Sequence, residues 1–114
     1  MLTNIMSRLD YHYFRQGQRN ADKYDDDTLL QMLDGEYFED IYEAMGAISK
    51  KKLKSALERL KSMALYEDDI ALQEEAVRTI RRICGRKALD ILRFLKTTNH
   101  KELIDYILKY GVDA

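Results

Sequence analysis

The chain contains no proline, although an average usage of about 5% would place roughly six among its 114 residues. Because proline interrupts helix interiors, its absence favours long helices. Apolar residues also recur at steps of three or four through most of the chain, as near its start at Leu2, Ile5, Met6, Leu9 and Tyr13. Together the two features predict an all-α protein.

Composition limits the class of protein further. Hydrophobic residues make up 46% of the chain and charged residues 34%, which is typical of a globular domain. We expect one helical domain over residues 1–114, because that length suits a single core. The one cysteine, Cys84, excludes an internal disulfide and suits a reducing compartment. The N-terminal residues lack a signal-peptide pattern, and no apolar run approaches the roughly 20 residues that span a bilayer. We therefore expect a cytoplasmic protein that does not enter a membrane.

Changes in polarity divide this domain into three predicted segments. Residues 1–15 are expected to form a capping helix, residues 16–27 a polar link, and residues 28–110 a stack of helices. Within the stack, Thr28 is expected to begin a short helix, and Ser49 a later one that follows a helix over 37–47. The other boundaries are marked by Asp34-Gly35, by the acidic run 67–69 and by Gly85. The helix from 67 to 85 is expected to bury its apolar positions, which are Ile70, Ala76, Val77, Ile80 and Ile83.

Two windows of the chain repeat the same pattern. Residues 43–61 align with residues 78–96, so that Ile48 meets Ile83 at a shift of 35 residues. The other aligned apolar pairs are Met45 with Ile80, Leu53 with Ala88, Leu57 with Leu92, and Leu60 with Leu95. Each window reads as a helix, a tight turn and a second helix. A fixed period between about 20 and 50 residues is typical of stacked helical repeats.

The pattern resembles HEAT or armadillo-type helical repeats over about residues 28–110. An alanine lies inside the first helix (Ala44 or Ala76), an aliphatic residue precedes a short turn (Ile48 or Ile83), and a leucine-rich helix follows. The proline usual in the first HEAT helix is absent. The resemblance implies a short right-handed α-solenoid of about six helices, with the N-terminal helix as a cap. It also implies surfaces that hold partner proteins or, in some relatives, nucleic acid. Short relatives include adaptors and immunity proteins that plug a toxin.

Charge is segregated along the chain although the net charge is only -1. Residues 1–48 hold 4 basic and 10 acidic side chains, whereas residues 49–101 hold 14 basic and 7 acidic ones. On the repeat, the acidic runs 34–36 and 67–69 lie at turns between repeats and are interpreted as helix caps. The basic residues lie at the turn inside each repeat and form a predicted basic ridge of Lys50, Lys51, Lys52, Arg86 and Lys87.

The basic ridge is the predicted partner-binding site. Lysines 50–52 are expected to begin a helix, where cations are mildly unfavourable, so stability does not explain them. A second set of residues is predicted to extend this surface or to bind separately, because arginine and exposed aromatics are common at interfaces. That set is Arg78, Arg82, Tyr11 and Arg15. The plainer interpretations are that the arginines cover the outer face of their helix, and that the neighbouring aromatics Tyr13 and Phe14 close the end of the stack.

Catalysis is not predicted. His12 and His100 lie near opposite ends of the chain, Cys84 lies among aliphatic residues, and no glycine-rich phosphate loop occurs. No cofactor or metal site is expected. The sequence favours a non-enzymatic protein-binding module, an adaptor or a toxin-neutralising immunity-type protein, whose partner has an acidic surface. The alternative is a nucleic-acid-binding helical-repeat protein that uses the same basic ridge, against which the sequence pI of about 6.1 weighs. The oligomeric state is left open.

Overall fold

A computed structural model describes residues 7–85, which form five α-helices, two short 3-10 turns and no strand. The prediction of an all-α protein is confirmed for these residues. The chain divides into two compact units, and residues 7–56 belong to one while residues 57–85 belong to the other. The helices are α1 (Arg8–Arg19), α2 (Asp26–Leu33), α3 (Phe38–Lys51), α4 (Leu57–Tyr66) and α5 (Ile70–Cys84), and the 3-10 turns are Ala21–Lys23 and Lys54–Ala56. Arg86, Lys87 and the helices expected beyond them lie outside the described residues.

Helix α1 extends four residues into the segment expected to be a polar link. It begins after Ser7, whose hydroxyl accepts a hydrogen bond from the Asp10 amide at 3.1 Å, and it continues to Arg19. Phe14 and Gly17 are its buried residues. Gly17 does not end the helix, because it lies at the contact between α1 and α3.

The backbones of α1 and α3 touch at a pair of glycines. A Cβ atom on Gly17 would overlap the carbonyl oxygen of Glu43 and lie 2.8 Å from its carbonyl carbon. A Cβ atom on Gly46 would overlap the carbonyl oxygen of Phe14 and lie 2.9 Å from its carbonyl carbon. Each glycine thus lies over the carbonyl three residues before the other glycine. Only residues without a side chain allow two helices to approach this closely.

The start of α2 differs from the expectation that Thr28 caps it. Asp25 is the N-cap, and its carboxylate accepts a hydrogen bond from the Thr28 amide at 2.7 Å. Hydrogen bonding to the side chain of Thr28, and then to its backbone amide, lowers the pKa of Asp25. Asp26 and Asp27 therefore lie in the first turn of the helix rather than in a loop, where their charges complement the helix dipole. The helix ends at Leu33, with Asp34 as its C-cap, as predicted.

Helix α3 runs through the position where a new helix was expected to begin. Ser49 is buried inside α3 instead of capping its successor. The helix ends with Lys52 in the left-handed conformation at a φ of 52°. The Lys52 amide bonds the Ser49 carbonyl at 3.3 Å and the Leu53 amide bonds the Ile48 carbonyl at 3.1 Å, which is the Schellman pattern of a helix end. Lys50 and Lys51 consequently lie in a last helical turn, not a first one.

The second unit contains α4 packed against α5. Leu60 and Ala64 of α4 are buried. The carboxylate of Asp69 caps α5 by accepting a hydrogen bond from the Leu72 amide at 2.9 Å, and α5 ends at Gly85, whose φ is 55°. Both ends of α5 were predicted. Its apolar positions are buried with one exception: Ile70, expected to point inward, is exposed because it is the first residue of the helix.

Candidate partner-binding surface

Of the three lysines predicted to bind a partner, Lys51 is tied into the fold. Its ammonium nitrogen lies 3.1 Å from the Tyr24 carbonyl oxygen and 2.9 Å from a carboxylate oxygen of Asp26. Lys50 and Lys52 are exposed. Because Lys50 and Lys51 occupy the last turn of α3, their charges complement the helix dipole. The expectation that stability does not explain lysines 50–52 was therefore wrong for Lys50 and Lys51.

The same region contains a second polar link to α3. Glu43 is buried and accepts hydrogen bonds from the Tyr24 hydroxyl at 2.7 Å and from the Gln16 amide at 3.3 Å. The hydrogen bond to Glu43, burial, and the negative charges of Glu43 and Asp40 all raise the pKa of Tyr24. The Tyr24 hydroxyl therefore stays protonated and donates a hydrogen bond to Glu43, and this bond connects the segment after α1 to α3.

Arg78 and Arg82 neutralise buried carboxylates within α5. Glu75 is only 2% exposed, and its two carboxylate oxygens lie 2.6 Å from Arg82 Nη1 and 3.4 Å from Arg78 Nη1. Glu74 lies 3.9 Å from Arg78 Nη2. Burying a carboxylate destabilises the folded state unless the charge is paired, so the two arginines have a structural role in pairing Glu74 and Glu75. This role was not predicted from the sequence. Their part in partner binding stays a prediction.

The outer side of α1 forms a basic face of Arg8, Tyr11, His12, Arg15 and Arg19, all of which are exposed. Their helical spacing places them on one side of α1, opposite Phe14 and Gly17. Arg15 donates a hydrogen bond to the side-chain oxygen of Gln18 at 2.9 Å. Among the described residues, no carboxylate forms a salt bridge with any of the three arginines.

Two members of the basic face, Tyr11 and Arg15, were predicted to bind. Arg8, His12 and Arg19 were missed, although their spacing on one side of α1 was visible in the sequence. This shared side was not recognised because residues 16–27 were predicted to be a polar link, which left Arg19 outside any helix. The plainer interpretation of the neighbouring aromatics fits Phe14, which is buried.

The turn between α2 and α3 has the opposite charge. Asp34, Glu36 and Tyr37 are exposed there, and so are Phe38 and Glu39, the first two residues of α3. Tyr37, the N-cap of α3, makes no side-chain capping bond. The interpretation of the acidic runs as caps therefore fits Asp69 before α5 but not this turn, which we call the acidic–aromatic turn (residues 34–39).

Sites for chemistry are sparse in the described part of the chain. Between residues 7 and 85, no group of three or more His, Cys, Asp or Glu side chains could hold a metal ion. His12 lies on the basic face of α1, Cys84 is the last residue of α5, and His100 falls outside the described residues. The absence of an enzymatic activity stays a prediction.

Comparisons of the chain with protein families, with curated proteins and with solved structures find no match. Among the described helices, none combines the length and the apolar character needed to cross a bilayer. Over residues 7–85, fold and surface together define an all-α structure with a basic face on α1 and an acidic–aromatic turn before α3.

Proposed function

We propose that this chain is a non-enzymatic protein-binding module, of adaptor or immunity type, that recognises an acidic surface on its partner. The basic face of α1 is the main binding surface, and exposed Lys50 and Lys52 contribute to it or bind separately. One observation carries the proposal: the three arginines of this face have no carboxylate partner among the described residues, whereas Lys51, Arg78 and Arg82 do. Arginine side chains that form no salt bridge with a described carboxylate are available to carboxylates of a partner protein.

The residue types on the basic face support a protein partner. Arginine and tyrosine are enriched among the residues that dominate binding energy at protein interfaces, and Tyr11 lies exposed beside Arg8 and Arg15. Charge complementarity would mainly speed association and select the partner, while Tyr11 would supply buried apolar area. Mechanistically, the module would act by occlusion or scaffolding rather than by chemistry.

The proposal includes the arrangement of the whole chain. Short turns join α2 to α3 and α4 to α5, at the positions predicted to lie between the repeats of a HEAT-like stack. We propose a short right-handed solenoid of about six helices in a cytoplasmic protein, with α1 as the cap. Partner binding by Arg86 and Lys87 stays part of the proposal.

Nucleic acid is the alternative partner, and exposed Tyr11 among arginines favours it specifically. Aromatic side chains stack on unpaired bases while arginines contact phosphates. Three phosphate contacts predict that the logarithm of the binding constant falls with the logarithm of salt concentration at a slope of about −2 to −3. A packed protein interface would lose less affinity with salt.

The test is affinity capture from source-cell lysate, with and without nuclease, read by mass spectrometry. Three baits are compared: the unchanged chain, the triple variant R8E/R15E/R19E, and the control K23E/K54E/K61E with the same net charge. We expect one stoichiometric protein that survives nuclease and is lost only from the α1 variant. Binding lost after nuclease treatment would favour the alternative.

Further outcomes of the capture separate the candidate surfaces. A partner retained by the α1 variant but lost from K50E/K52E would move the binding site to the end of α3. A partner retained by all variants would refute a charged binding surface. Far-UV circular dichroism of each bait checks that the charge reversals leave the helices intact, including K61E, which removes the Lys61–Glu58 ion pair.

A further inference from the structure

Large hydrophobic side chains are exposed at few places in the described residues, and four of them lie in the unit of residues 7–56. Leu9 and Tyr11 flank the arginine row of α1, and Tyr11 is 52% exposed. The other two, Tyr37 and Phe38, are 64% and 44% exposed in the acidic–aromatic turn. A single exposed hydrophobic residue is ordinary, but an adjacent aromatic pair marks an interaction surface.

The two surfaces are chemically complementary. The basic face of α1 carries three arginines and Tyr11, and exposed Leu9 lies beside it. The acidic–aromatic turn carries three exposed carboxylates around two aromatic rings. Carboxylates pair with arginine through charge-assisted hydrogen bonds, and an aromatic ring attracts a guanidinium group through its face. The turn therefore fits a surface that combines arginines with apolar side chains.

We propose that the acidic–aromatic turn of one copy of this chain binds the basic face of α1 on a second copy. The chain itself is the partner because its described residues carry a surface, the basic face of α1, that has the required chemistry. Contact within one copy does not satisfy this chemistry, since Arg8, Arg15 and Arg19 have no carboxylate partner in the described region. The inference rests in part on the proposed function, which assigns the basic face to acidic partners.

The size of the two surfaces sets the strength of the contact. The arginine row rises about 16 Å along α1, and the turn contains only six residues, so the contact belongs to the small, transient class. Self-association is therefore expected at high protein concentration and low salt. It would also compete with an acidic partner for the same arginines.

Sedimentation velocity tests the inference with the full chain alone, from about 10 to 500 µM. We expect reversible association at 50 mM salt that weakens at least tenfold at 500 mM salt. R8E/R15E/R19E removes one surface and E36K/E39K removes the other, and each variant is expected to be monomeric. Mixed together, they retain one intact copy of each surface, and their two reversed surfaces are also complementary in charge, so they should form heterodimers and larger hetero-oligomers although neither variant associates alone.

The aromatic contribution has its own variant. Y37A/F38A keeps every charge, and both side chains are exposed, so the fold should be unaffected while self-association weakens at least tenfold. K23E/K54E/K61E is the control for net charge and should associate like the unchanged chain. Unchanged association of Y37A/F38A, or no heterodimer in the mixture, would overturn the inference.

The experiment separates this inference from the proposed function. E36K/E39K leaves the basic face of α1 intact, so it should still capture an acidic partner from lysate while failing to self-associate. A chain that stays monomeric at 500 µM overturns the self-association, even if the α1 variant still loses its captured partner. If the chain is monomeric and a basic protein from the lysate binds the unchanged chain but not Y37A/F38A, the acidic–aromatic turn binds that protein instead of a second copy.

Discussion

Replacing Gly17 with alanine should destabilise the protein, although alanine is the better helix former. In a helix interior, alanine is favoured over glycine by about 1 kcal/mol. Opposing this, the new Cβ atom would overlap the Glu43 carbonyl oxygen and lie 3.1 Å from the Ala47 amide nitrogen. These are backbone atoms of α3 and cannot rotate away, so α1 and α3 must separate.

The expected change in the free energy of unfolding follows from the helix propensity of alanine and the clash of its Cβ atom. Inserting a methyl group into a packed interior costs about 1–3 kcal/mol, and a clash with backbone belongs at or above the upper end of that range. After the gain in helix propensity, we expect a net loss of about 2 kcal/mol in the free energy of unfolding. G46A should behave alike, because its Cβ would meet the Phe14 carbonyl in the same way.

Urea unfolding followed by circular dichroism at 222 nm measures this loss. The double variant G17A/G46A provides the decisive comparison: once one methyl group has separated the helices, the second should cost less, so the double loss should be smaller than the sum by about 0.5 kcal/mol or more. Stabilisation by G17A, or strictly additive losses, would show that the helices do not meet at these glycines.

Three further substitutions test the polar contacts. Y24F should lose about 1 kcal/mol at pH 7 by removing a hydrogen bond to a buried carboxylate. Because the pKa of Tyr24 is raised in the folded state, its contribution is complete below the unfolded value of 10.0 and lost as pH rises through the higher folded pKa. The urea midpoint should therefore fall more in the unchanged chain than in Y24F between pH 8 and 11, and equal falls would contradict the assignment. K51M should cost about 1 kcal/mol while K50M stays within about 0.5 kcal/mol, and equal effects would remove the structural role of Lys51. E75Q should cost about 2 kcal/mol in urea unfolding, against almost nothing for E58Q on the surface, and a neutral E75Q would show that the buried charge is unnecessary.

Helix ends that rest on one local signal were predicted correctly. Asp34 and Gly85 each lie where the apolar pattern stops and no competing residue is nearby, and the acidic run 67–69 contains Asp69, the N-cap of α5. The start of α2 was predicted wrongly, because several consecutive residues from Asp25 to Thr28 are all able to cap a helix. Ser49 likewise has a capping side chain, yet the apolar contacts around α3 keep it inside the helix.

The contacts of charged residues could likewise be predicted only where both partners lie on one helix. The pairing of Arg78 and Arg82 with Glu75 spans three and seven residues of one helix, so helical spacing alone could have suggested it. Lys51 and Tyr24 are 27 residues apart, and no local pattern links them. The basic face of α1 was only half found, because its last arginine lies in a stretch whose polar composition resembled a loop.

By itself, the sequence determined the helical class, the segregation of charge and the strongest helix ends. These depend on periodicity, on the absence of proline and on capping, which act over a few neighbouring residues. The acidic run that caps no helix lies beside the exposed aromatics Tyr37 and Phe38. Tertiary structure alone decided which acidic run caps a helix and which lysines are available to a partner. It also decided that Gly17 and Gly46 meet. Such outcomes require segments distant in the chain to approach within a few ångströms, and packing of the whole unit sets that approach.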